Sequence, residues 1–394
     1  MASEAPLPNE VAASGGWRFA YGPRVIAGAG SAAGIAALLP PGPILFVTDA
    51  QILGLGLARA ALAALRAGGH DMCIFEKVEA DPSEATVLAA VEAGRAAGVA
   101  SVVGFGGGSP MDVAKLAAYL LGSGDSIADI YGVDLAKGTR LPLVLVPTTA
   151  GTGSEATGIS IVTVGGAEKK GVVAPALVAD VAILDAGLTL GLPRHVTAAT
   201  GIDAMVHAIE AYTSARLKNP LSDALAREAL RLLSAHLVRA CDEPTDTAAR
   251  QAMLLGAHLA GVAFANAPVG GVHALAYPLG GHFHVPHGHS NALMLAPVLA
   301  HNLAGAAGDY AELLECVAPG SREEGVAQRA GAFVSALERL MRETGLSLRL
   351  RDVGVSEADI PRLASEAMKQ QRLLINNPVP IVEADARLLY EAAF

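Results

Sequence analysis

Hydrophobic and polar positions along the first half of the chain predict strands and helices in alternation. Segments with helical spacing, 57–69 and 84–98, separate short apolar runs that are rich in β-forming residues. This order is typical of an α/β unit with a parallel sheet, because each helix returns the chain to the same end of the sheet. The runs that we predict to be strands are 44–48, 73–78, 100–107, 141–149, 159–164 and 180–185.

The pattern changes near residue 190, at GLTLGLPRH. Beyond this point the spacing of apolar residues is helical, and no run alternates as a strand does. We therefore predict an N-terminal Rossmann-like α/β domain over residues 1–193 and an all-helical C-terminal domain over residues 194–394. The predicted helices of the second domain are 197–214, 219–240, 246–266, 289–304, 326–344 and 356–371.

Composition excludes several classes of protein. Of 394 residues, 52% are hydrophobic and 17% are charged, which indicates a packed globular chain. The net charge of −10 argues against nucleic acid as a partner, because its phosphates would be repelled. The three cysteines, Cys73, Cys241 and Cys316, are far apart and predict no disulfide framework. Together with a first segment (1–15) that lacks the features of a signal peptide, they predict a cytoplasmic protein.

One long uncharged segment requires a separate explanation. From Gln251 to Gly308 the chain has no Asp, Glu, Lys or Arg. A membrane span needs about 20 consecutive apolar residues, whereas Gly, Pro, Asn and His interrupt every run here. We therefore predict a buried helical region around a polar centre, and no interaction with a membrane.

A glycine-rich loop follows the predicted strand in SVVGFGGGSPMDVAK. We expect Ser109 to be the N-cap of the next helix and Pro110 its first residue. Backbone N–H groups and the helix dipole at such a loop form an anion site that suits a pyrophosphate. The loop matches neither GxGxxG nor the P-loop pattern, so a tight strand–helix turn without a ligand is the alternative. The glycines concerned are Gly106, Gly107 and Gly108.

Two further features favour a dinucleotide. The segment PTTAGTGSEAT places Thr148, Thr149, Thr152 and Ser154 around two glycines, where small hydroxyl groups suit close approach to a cofactor. Asp49 follows an earlier strand, and a carboxylate there accepts from ribose hydroxyls and repels a 2′-phosphate, which favours NAD over NADP. The alternatives are a polar connector for the first feature and a turn-forming aspartate for the second.

Five of the eleven histidines lie in GGVHALAYPLGGHFHVPHGHSN. Upstream, Asp203 and His207 are four residues apart and share one face of a predicted helix. One aspartate and three histidines suit Fe²⁺ or Zn²⁺, so we predict a four-ligand site that adds His273 and His287. An ordinary Asp–His pair and structural histidines are the alternatives. We expect His282, His284 and His289 to line a pocket or a loop, and assign no role to His195, His236, His258 and His301.

Four motifs in this order resemble the iron-containing, group III alcohol dehydrogenases: FGGGSPMDVAK, LPLVLVPTTAGTGSEAT, GIDAMVHAIEAYTS and HALAYPLGGHFHVPHGHSNALML. The resemblance implies the dehydroquinate synthase-like fold, with an N-terminal dinucleotide-binding domain, a C-terminal metal-binding helical domain and the site between them. It implies hydride transfer between an alcohol and NAD at a metal ion. It also implies a homodimer, in which the strand-like WRFAYGPRVIAG pairs with a second chain.

The same resemblance assigns roles to individual residues. The implied metal ligands are Asp203, His207, His273 and His287. The implied cofactor contacts are Asp49 at the ribose, Gly106, Gly107, Gly108 and Ser109 at the pyrophosphate, Asp112, Thr148, Thr149 and Thr152 along the cofactor, and Lys170 near its ribose.

Tyr277 departs from the pattern of many alcohol-oxidising members, which have a second histidine at this place. HAxxYP looks more like members that act on hydroxy acids, such as 4-hydroxybutyrate dehydrogenases and hydroxyacid–oxoacid transhydrogenases. A hydroxy acid is therefore the alternative substrate, and maleylacetate is a less favoured one. We also expect Tyr277 to be catalytic by relaying a proton, a role that requires a lowered phenol pKa.

Two other classes of protein share some of these sequence features. Dehydroquinate synthases share the two-domain plan and bind NAD and a metal, but their glutamate-based metal pattern is not found here. A histidine-rich metal-storage protein would bind several ions weakly and would have no affinity for a nucleotide. The two ordered loops around Gly107 and Thr149 argue against storage.

Overall fold

A computed structural model of the chain describes residues 16–165 and 168–394. The expectation about a signal peptide concerns residues 1–15, which lie outside the described residues. Nine strands occur in the described part: β1 Arg24–Ala27, β2 Ile44–Val47, β3 Met72–Phe75, β4 Ser101–Gly106, β5 Gly132–Val133, β6 Leu143–Pro147, β7 Ile159–Val164, β8 Glu168–Val173 and β9 Val181–Leu184.

Six strands form a parallel sheet in the order β1-β9-β6-β4-β2-β3. Helices cover both faces of this sheet, so β2, β4, β6 and β9 are buried along their whole length and have continuous apolar sequences. Gly106 is opposite Pro147 in the register of β4 and β6. The loops that follow these two strands therefore leave the sheet side by side, at the carboxyl edge where α/β sheets bind ligands.

The strand predicted at 159–164 is confirmed, but it belongs to a second, three-stranded sheet. This segment forms β7, which pairs antiparallel with β8 and lies outside the main sheet. β8 has the sequence EKKGVV. It was not predicted as a strand because its first half is charged and therefore forms no apolar run. Only one face of the pair is buried, through Val162 and Val172.

Thirteen α-helices occur in the described residues. The N-terminal region contains α1 Ala50–Gly54, α2 Arg59–Ala67, α3 Glu84–Ala96 and α4 Gly108–Ser123. The C-terminal region contains α5 Arg194–Tyr212, α6 Pro220–Asp242, α7 Thr247–Asn266, α8 Gly271–Phe283, α9 His287–Val317, α10 Val326–Thr344, α11 Ile360–Ala367, α12 Gln371–Leu374 and α13 Glu383–Ala393.

Several predicted helix boundaries were wrong. The helix predicted at 289–304 continues to Val317, because Tyr310 and Leu314 bury an apolar face beyond the glycine-rich stretch that suggested an end. The helix predicted at 356–371 is divided, and α11 covers only its centre. α8 and α13 were not predicted as complete helices. α8 was missed because Pro278 and three glycines lie within it.

The opening segment WRFAYGPRVIAG is a strand only at Arg24–Ala27, where it pairs with β9 of the same chain. Before that strand, the backbone of Ala20 bonds to the side chain of Asn266 at the end of α7. Its N–H donates to Oδ1 over 2.7 Å, and its carbonyl accepts from Nδ2 over 2.9 Å. The expected homodimer therefore stays a prediction, and its proposed strand is shorter than expected.

The N-terminal and helical regions pack closely at a loop that contains two glycines. A side chain at Gly151 would place its Cβ 2.6 Å from Cβ of Thr200 on α5. At Gly153, with φ of +59°, a Cβ would lie 2.7 Å from Gly261 on α7. Only glycine permits this approach. The core of the helical region also includes Ala150, so the division at residues 193 and 194 into two domains stays a prediction.

Within the described ranges, no single helix is both long and apolar enough to cross a bilayer. Helices α7 and α8 meet the length and composition criteria only as a pair, and a bend of 106° separates them.

Candidate metal centre and nucleotide-binding loops

Helix α5 presents three functional groups on one face. Asp203, His207 and Glu210 follow one another at spacings of four and three residues, so their side chains lie one above another. All three are at least 95% buried, in a helix that is enclosed along nearly its whole length. Buried charges at such positions require partners, and neighbouring helices supply them.

Four side chains from three helices converge on one point. Asp203 and His207 come from α5, His273 from α8 and His287 from the first residue of α9, and their ligand atoms lie within 4.8 Å of one another. Oδ1 of Asp203 is 3.9 Å from Nε2 of His207 and of His273, and 3.5 Å from Nε2 of His287. Tetrahedral ligands at metal distances of about 2.1 Å would be ~3.4 Å apart, so small shifts suffice to hold an ion.

Gly288 explains how α9 reaches this point. A Cβ at Gly288 would lie 2.4 Å from the carbonyl oxygen of Ala199 and 3.3 Å from Cβ of Asp203. The first turn of α9 therefore rests directly on α5. This contact brings His287 to Asp203 while its side chain stays 41% exposed, so one side of the cluster is open.

The protonation states of the cluster suit metal binding. Burial lowers the pKa of His207 to about 3, although the Asp203 carboxylate raises it, so the imidazole is neutral at physiological pH. Burial raises the pKa of Asp203, but the three histidines and an Asn291 hydrogen bond outweigh it and leave the pKa lowered. A carboxylate and neutral imidazoles are the forms that bind metals.

Two residues that the sequence analysis missed contact these ligands. Glu210 accepts a hydrogen bond from Nδ1 of His273 over 2.6 Å. Asn291 donates to Oδ1 of Asp203 over 2.6 Å. Their spacing was the available signal: Glu210 is seven residues after Asp203, and Asn291 is four residues after His287, which places each on the helix face of a predicted ligand.

Aromatic rings surround the cluster. Phe264 stacks on His207 at 4.4 Å between ring centroids, and the Tyr277 ring lies 6.0 Å from that of His287. Burial raises the pKa of the Tyr277 phenol, although nearby Arg372 opposes this rise. The expected proton relay requires a lowered pKa, which burial opposes, so the catalytic role of Tyr277 stays a prediction.

The glycine loop forms the start of α4, but not with the expected cap. The N-cap is Gly107 and the helix begins at Gly108, so the prediction that Ser109 is the cap was wrong. Gly107 has no side chain to bond the N–H groups of the first turn, which leaves them available to a ligand. Gly106 has φ of +152°, and a Cβ there would lie 2.7 Å from Cγ of Pro110.

The threonine loop lies against the glycine loop. The N–H of Thr148 donates to the carbonyl of Gly106 over 2.9 Å. A Cβ at Gly108 would lie 3.0 Å from Cγ2 of Thr152, and one at Gly107 would lie 3.8 Å from Oγ1 of Thr149. The structure thus brings together the two loops that the sequence singled out.

Comparison with known proteins decides the family. Residues 22–186 match the family model described as iron-containing alcohol dehydrogenase. Residues 197–394 match the model of the C-terminal part of the Fe-containing alcohol dehydrogenase family. The chain belongs to the iron-containing alcohol dehydrogenase family. This membership confirms the expected fold class and the expected class of activity, a metal-dependent oxidoreductase of alcohols and aldehydes.

Individual relatives of the chain within this family differ in their named substrates. Long-chain-alcohol dehydrogenase 1 of Geobacillus thermodenitrificans is 41% identical over 89% of both chains. Sulfoacetaldehyde reductase of Bilophila wadsworthia is 35% identical over 88% of this chain and 90% of its own. A crystal structure of 1,3-propanediol oxidoreductase superposes with a TM-score of 0.92 at 32% identity, covering 96% of this chain and all of the other.

One solved relative holds the cofactor that the sequence predicts. The structure of sulfoacetaldehyde reductase from Bifidobacterium kashiwanohense, in complex with NAD⁺, has a TM-score of 0.84 at 29% identity. It covers 96% of this chain and 98% of its own.

Asp112, an expected cofactor contact, is occupied by protein partners. Its carboxylate accepts from Oγ of Ser154 over 2.6 Å and from the N–H of Ile161 over 3.0 Å, and it lies 3.1 Å from Nζ of Lys115. Lys115 is completely buried and also donates to the carbonyl of Ser154 over 2.9 Å. These bonds hold α4 to the threonine loop, and a cofactor contact by Asp112 stays a prediction.

Asp49, which follows β2, and Lys170, which lies within β8, both have local partners. Asp49 caps α1 by accepting from the N–H of Ile52 over 2.8 Å, which is the turn-forming role foreseen as the alternative. Nζ of Lys170 is 3.8 Å from Glu168 and 5.5 Å from the ring of Tyr131. The ribose contacts of both residues stay predictions.

The remaining histidines of the motif lie outside the metal cluster. His282 and His284 are exposed, and His284 ends α8 with φ of +54°. Nε2 of His289 lies 2.7 Å from the carbonyl of Ser347. His258, to which the sequence gave no role, is buried and pairs with Glu155 over 3.1 Å. These contacts indicate structural roles for His258 and His289.

Proposed function

We propose that the protein is an NAD-dependent alcohol dehydrogenase with one divalent metal ion, Fe²⁺ in preference to Zn²⁺, bound by Asp203, His207, His273 and His287. The observation that carries the proposal is the geometry of these four side chains, whose ligand atoms lie within 4.8 Å of one another. A metal ion here would act as a Lewis acid on the substrate oxygen. Zinc with four protein ligands tends to form closed structural sites, which favours iron for catalysis.

The two loops support NAD as the cofactor. The uncapped start of α4, at Gly107, Gly108 and Ser109, would bind the pyrophosphate, with Gly106 turning the chain into it. Thr148, Thr149 and Thr152 would line the cofactor, while Asp49 and Lys170 would lie at the ribose. A carboxylate at Asp49 disfavours the 2′-phosphate of NADP. The similar reductase in complex with NAD⁺ agrees with this choice.

The contact between loop and helix would place the reacting groups together. Gly151 in the threonine loop packs against Thr200 of α5, one turn before Asp203. A nicotinamide held by this loop would therefore lie beside the metal cluster. The nicotinamide and the substrate would then react within one complex and would not have to collide in solution. Such positioning can lower the activation free energy by several kcal/mol.

We propose primary alcohols and their aldehydes as substrates, as the name of the 41%-identical long-chain-alcohol dehydrogenase suggests. One observation favours hydroxy acids as a second candidate class. The guanidinium of Arg372 lies near the Tyr277 phenol, and its Nη2 is 3.9 Å from the position of a Cβ on Gly171 in β8. A guanidinium near Tyr277, whose ring lies 6.0 Å from that of His287, suits a substrate carboxylate or sulfonate.

The proposal is tested by NADH formation at 340 nm with protein loaded anaerobically with Fe²⁺. Initial rates would be compared for a series of primary alcohols and for 4-hydroxybutyrate, each with NAD⁺ and with NADP⁺. The proposal predicts alcohol oxidation with NAD⁺ preferred. A preference for 4-hydroxybutyrate would select the second candidate class, and no hydride transfer with either cofactor would contradict both.

We also propose a cytoplasmic homodimer. Trp17 and Tyr21 are exposed and precede β1 in the chain, and β1 is an edge strand whose second edge would receive another chain. Light scattering after gel filtration would then give twice the 39.8 kDa mass of one chain. A mass of one chain across the micromolar range would contradict the dimer.

A further inference from the structure

We propose that Glu210 is a positioning residue that fixes the ring orientation and the tautomer of His273 and thereby sets the affinity of the metal site. This inference rests on the metal site proposed above. Glu210 is not among the site residues that the sequence predicted.

The carboxylate of Glu210 receives two hydrogen bonds from the start of α8. Oε2 lies 2.6 Å from Nδ1 of His273, and Oε1 accepts from the N–H of Val272 over 2.7 Å. Glu210 and His273 are both at least 95% buried. Short bonds to a carboxylate shielded from water are stronger than neutral ones, so this pair holds its geometry firmly.

Two independent contacts select one tautomer of His273. A carboxylate accepts and does not donate, so Glu210 requires the proton on Nδ1. On the other side of the ring, Asn291 Nδ2 lies 3.2 Å from Nε2 and can only donate to it. Nε2 therefore keeps its lone pair directed into the cluster, where Oδ1 of Asp203 is 3.9 Å away. A carboxylate–histidine pair of this kind orients metal ligands in other proteins.

Glu210 also fixes the helix that carries His273. The residue before α8 is Gly270, which has no side chain to cap the helix. Remote side chains replace the cap: Asn377 accepts from the N–H of Gly271 over 3.1 Å, and Glu210 accepts from Val272. One carboxylate on α5 thus holds both the backbone and the ligand ring of α8 in register with Asp203 and His207.

Replacing Glu210 by Gln removes the second acceptor oxygen but keeps the size of the side chain. The amide has the shape of the carboxylate but only one acceptor oxygen, so it cannot satisfy both N–H donors. Its NH₂ group would face one of them. We expect His273 to lose its fixed orientation and Zn²⁺ affinity to fall 10–100-fold, as for other partners of metal-ligating histidines.

Glu155→Gln is the matched control. Glu155 and His258 form a second buried pair, with Oε1 3.1 Å from Nδ1, and His258 is outside the metal cluster. This substitution removes the same kind of contact and the same charge from the interior. A general response to loss of a buried carboxylate would appear in both variants, whereas an effect through His273 appears only in Glu210→Gln.

The experiment measures Zn²⁺ dissociation constants by competition with a chromophoric chelator, and the absorption spectrum of bound Co²⁺. We expect a 10–100-fold weaker constant and a changed Co²⁺ spectrum for Glu210→Gln, with both readouts within about threefold of wild type for Glu155→Gln. Unchanged affinity and spectrum in Glu210→Gln would overturn the inference. If wild type bound neither ion at one per chain, the metal site itself would be wrong, which is a distinguishable result.

A second measurement needs no stable variant. Wild-type protein labelled with ¹⁵N-histidine would show by NMR which ring nitrogen of His273 carries the proton, in the absence of metal. The inference predicts a protonated Nδ1 and an unprotonated Nε2, with the proton shifted strongly downfield by the carboxylate. A proton on Nε2 would overturn it.

Discussion

Nδ2 of Asn291 donates to Oδ1 of Asp203 over 2.6 Å, at the centre of the metal cluster. The same nitrogen lies 3.2 Å from Nε2 of His273 and 3.4 Å from Nε2 of His287. Each neutral imidazole has one lone pair, so a bound ion must displace Asn291 from both rings. Asn291 therefore stabilises the cluster without metal and competes with the metal for it.

This competition predicts the behaviour of Asn291→Ala. Without metal, the variant should lose about 1–3 kcal/mol of unfolding free energy, because a buried carboxylate loses a donor. With saturating Zn²⁺ the loss should be smaller, because the ion compensates the charge of Asp203. Urea unfolding with and without Zn²⁺ measures both values. Asn302→Ala is the control, since Asn302 is a buried amide of the same helix paired with Asn377, and its loss should not depend on Zn²⁺. Equal losses in both conditions for Asn291→Ala would contradict the account.

Gly106→Ala should weaken NAD⁺ binding at least tenfold and leave Zn²⁺ binding unchanged. The new methyl group would meet Pro110 at 2.7 Å in a backbone conformation that favours glycine, which displaces the loop at the start of α4. Gly124→Ala provides a control at the other end of the same helix, where φ is +77° and the space is open. It should reduce stability but not NAD⁺ affinity. Equal NAD⁺ affinities in the two variants, measured by calorimetry, would argue against a pyrophosphate at this loop.

Tyr277→Phe should leave the pH dependence of kcat unchanged. Burial raises the pKa of the phenol, so the group keeps its proton throughout the neutral range and contributes no ionisation to the profile. The measurement is kcat between pH 6 and pH 10 for both proteins. Loss of an ionisation in the variant would support the proton relay that the sequence predicts for Tyr277.

Arg372→Met tests whether Arg372 binds the carboxylate of a hydroxy-acid substrate. If a substrate carboxylate binds at the guanidinium, KM for 4-hydroxybutyrate should rise about tenfold while KM for a primary alcohol stays the same, a loss typical of one charged hydrogen bond. Arg362→Met is the control, because Arg362 is an exposed arginine that lies over the ring of Phe283 instead. Equal effects of Arg372→Met on both substrates would assign Arg372 to the structure of the cleft.

Sequence patterns predicted the parts of the fold that repeat locally. The strands of the main sheet and the long helices of the second half have regular apolar spacing, and they were found close to their true positions. β8 was missed because the first half of EKKGVV is charged, and α8 was missed because its interior contains Pro278. In both cases burial by tertiary contacts determines the element, which local propensity does not reveal.

The candidate site was predictable to the extent that its chemistry is local. Asp203 and His207 are one helical turn apart, so their pairing followed from spacing. The convergence of His273 and His287 on them depends on Gly288 resting against Ala199, a contact between distant segments. The role of Glu210 also depends on a contact between distant segments, because its partners His273 and Val272 lie on α8. The N-cap of α4 is Gly107, whereas the sequence predicted Ser109. Serine is preferred at N-caps because its side chain bonds the first N–H groups, and glycine has no side chain that would signal a cap in this way.

The measurement that tests the central claim most directly is metal-dependent activity in wild type and in His207→Ala. Protein treated with a chelator would be reloaded anaerobically with Fe²⁺, and metal content and NADH formation would be measured on the same samples. The account predicts one ion per chain, activity lost on chelation and restored by Fe²⁺, and neither tight metal binding nor activity in His207→Ala. Full activity after chelation, or in His207→Ala, would contradict it.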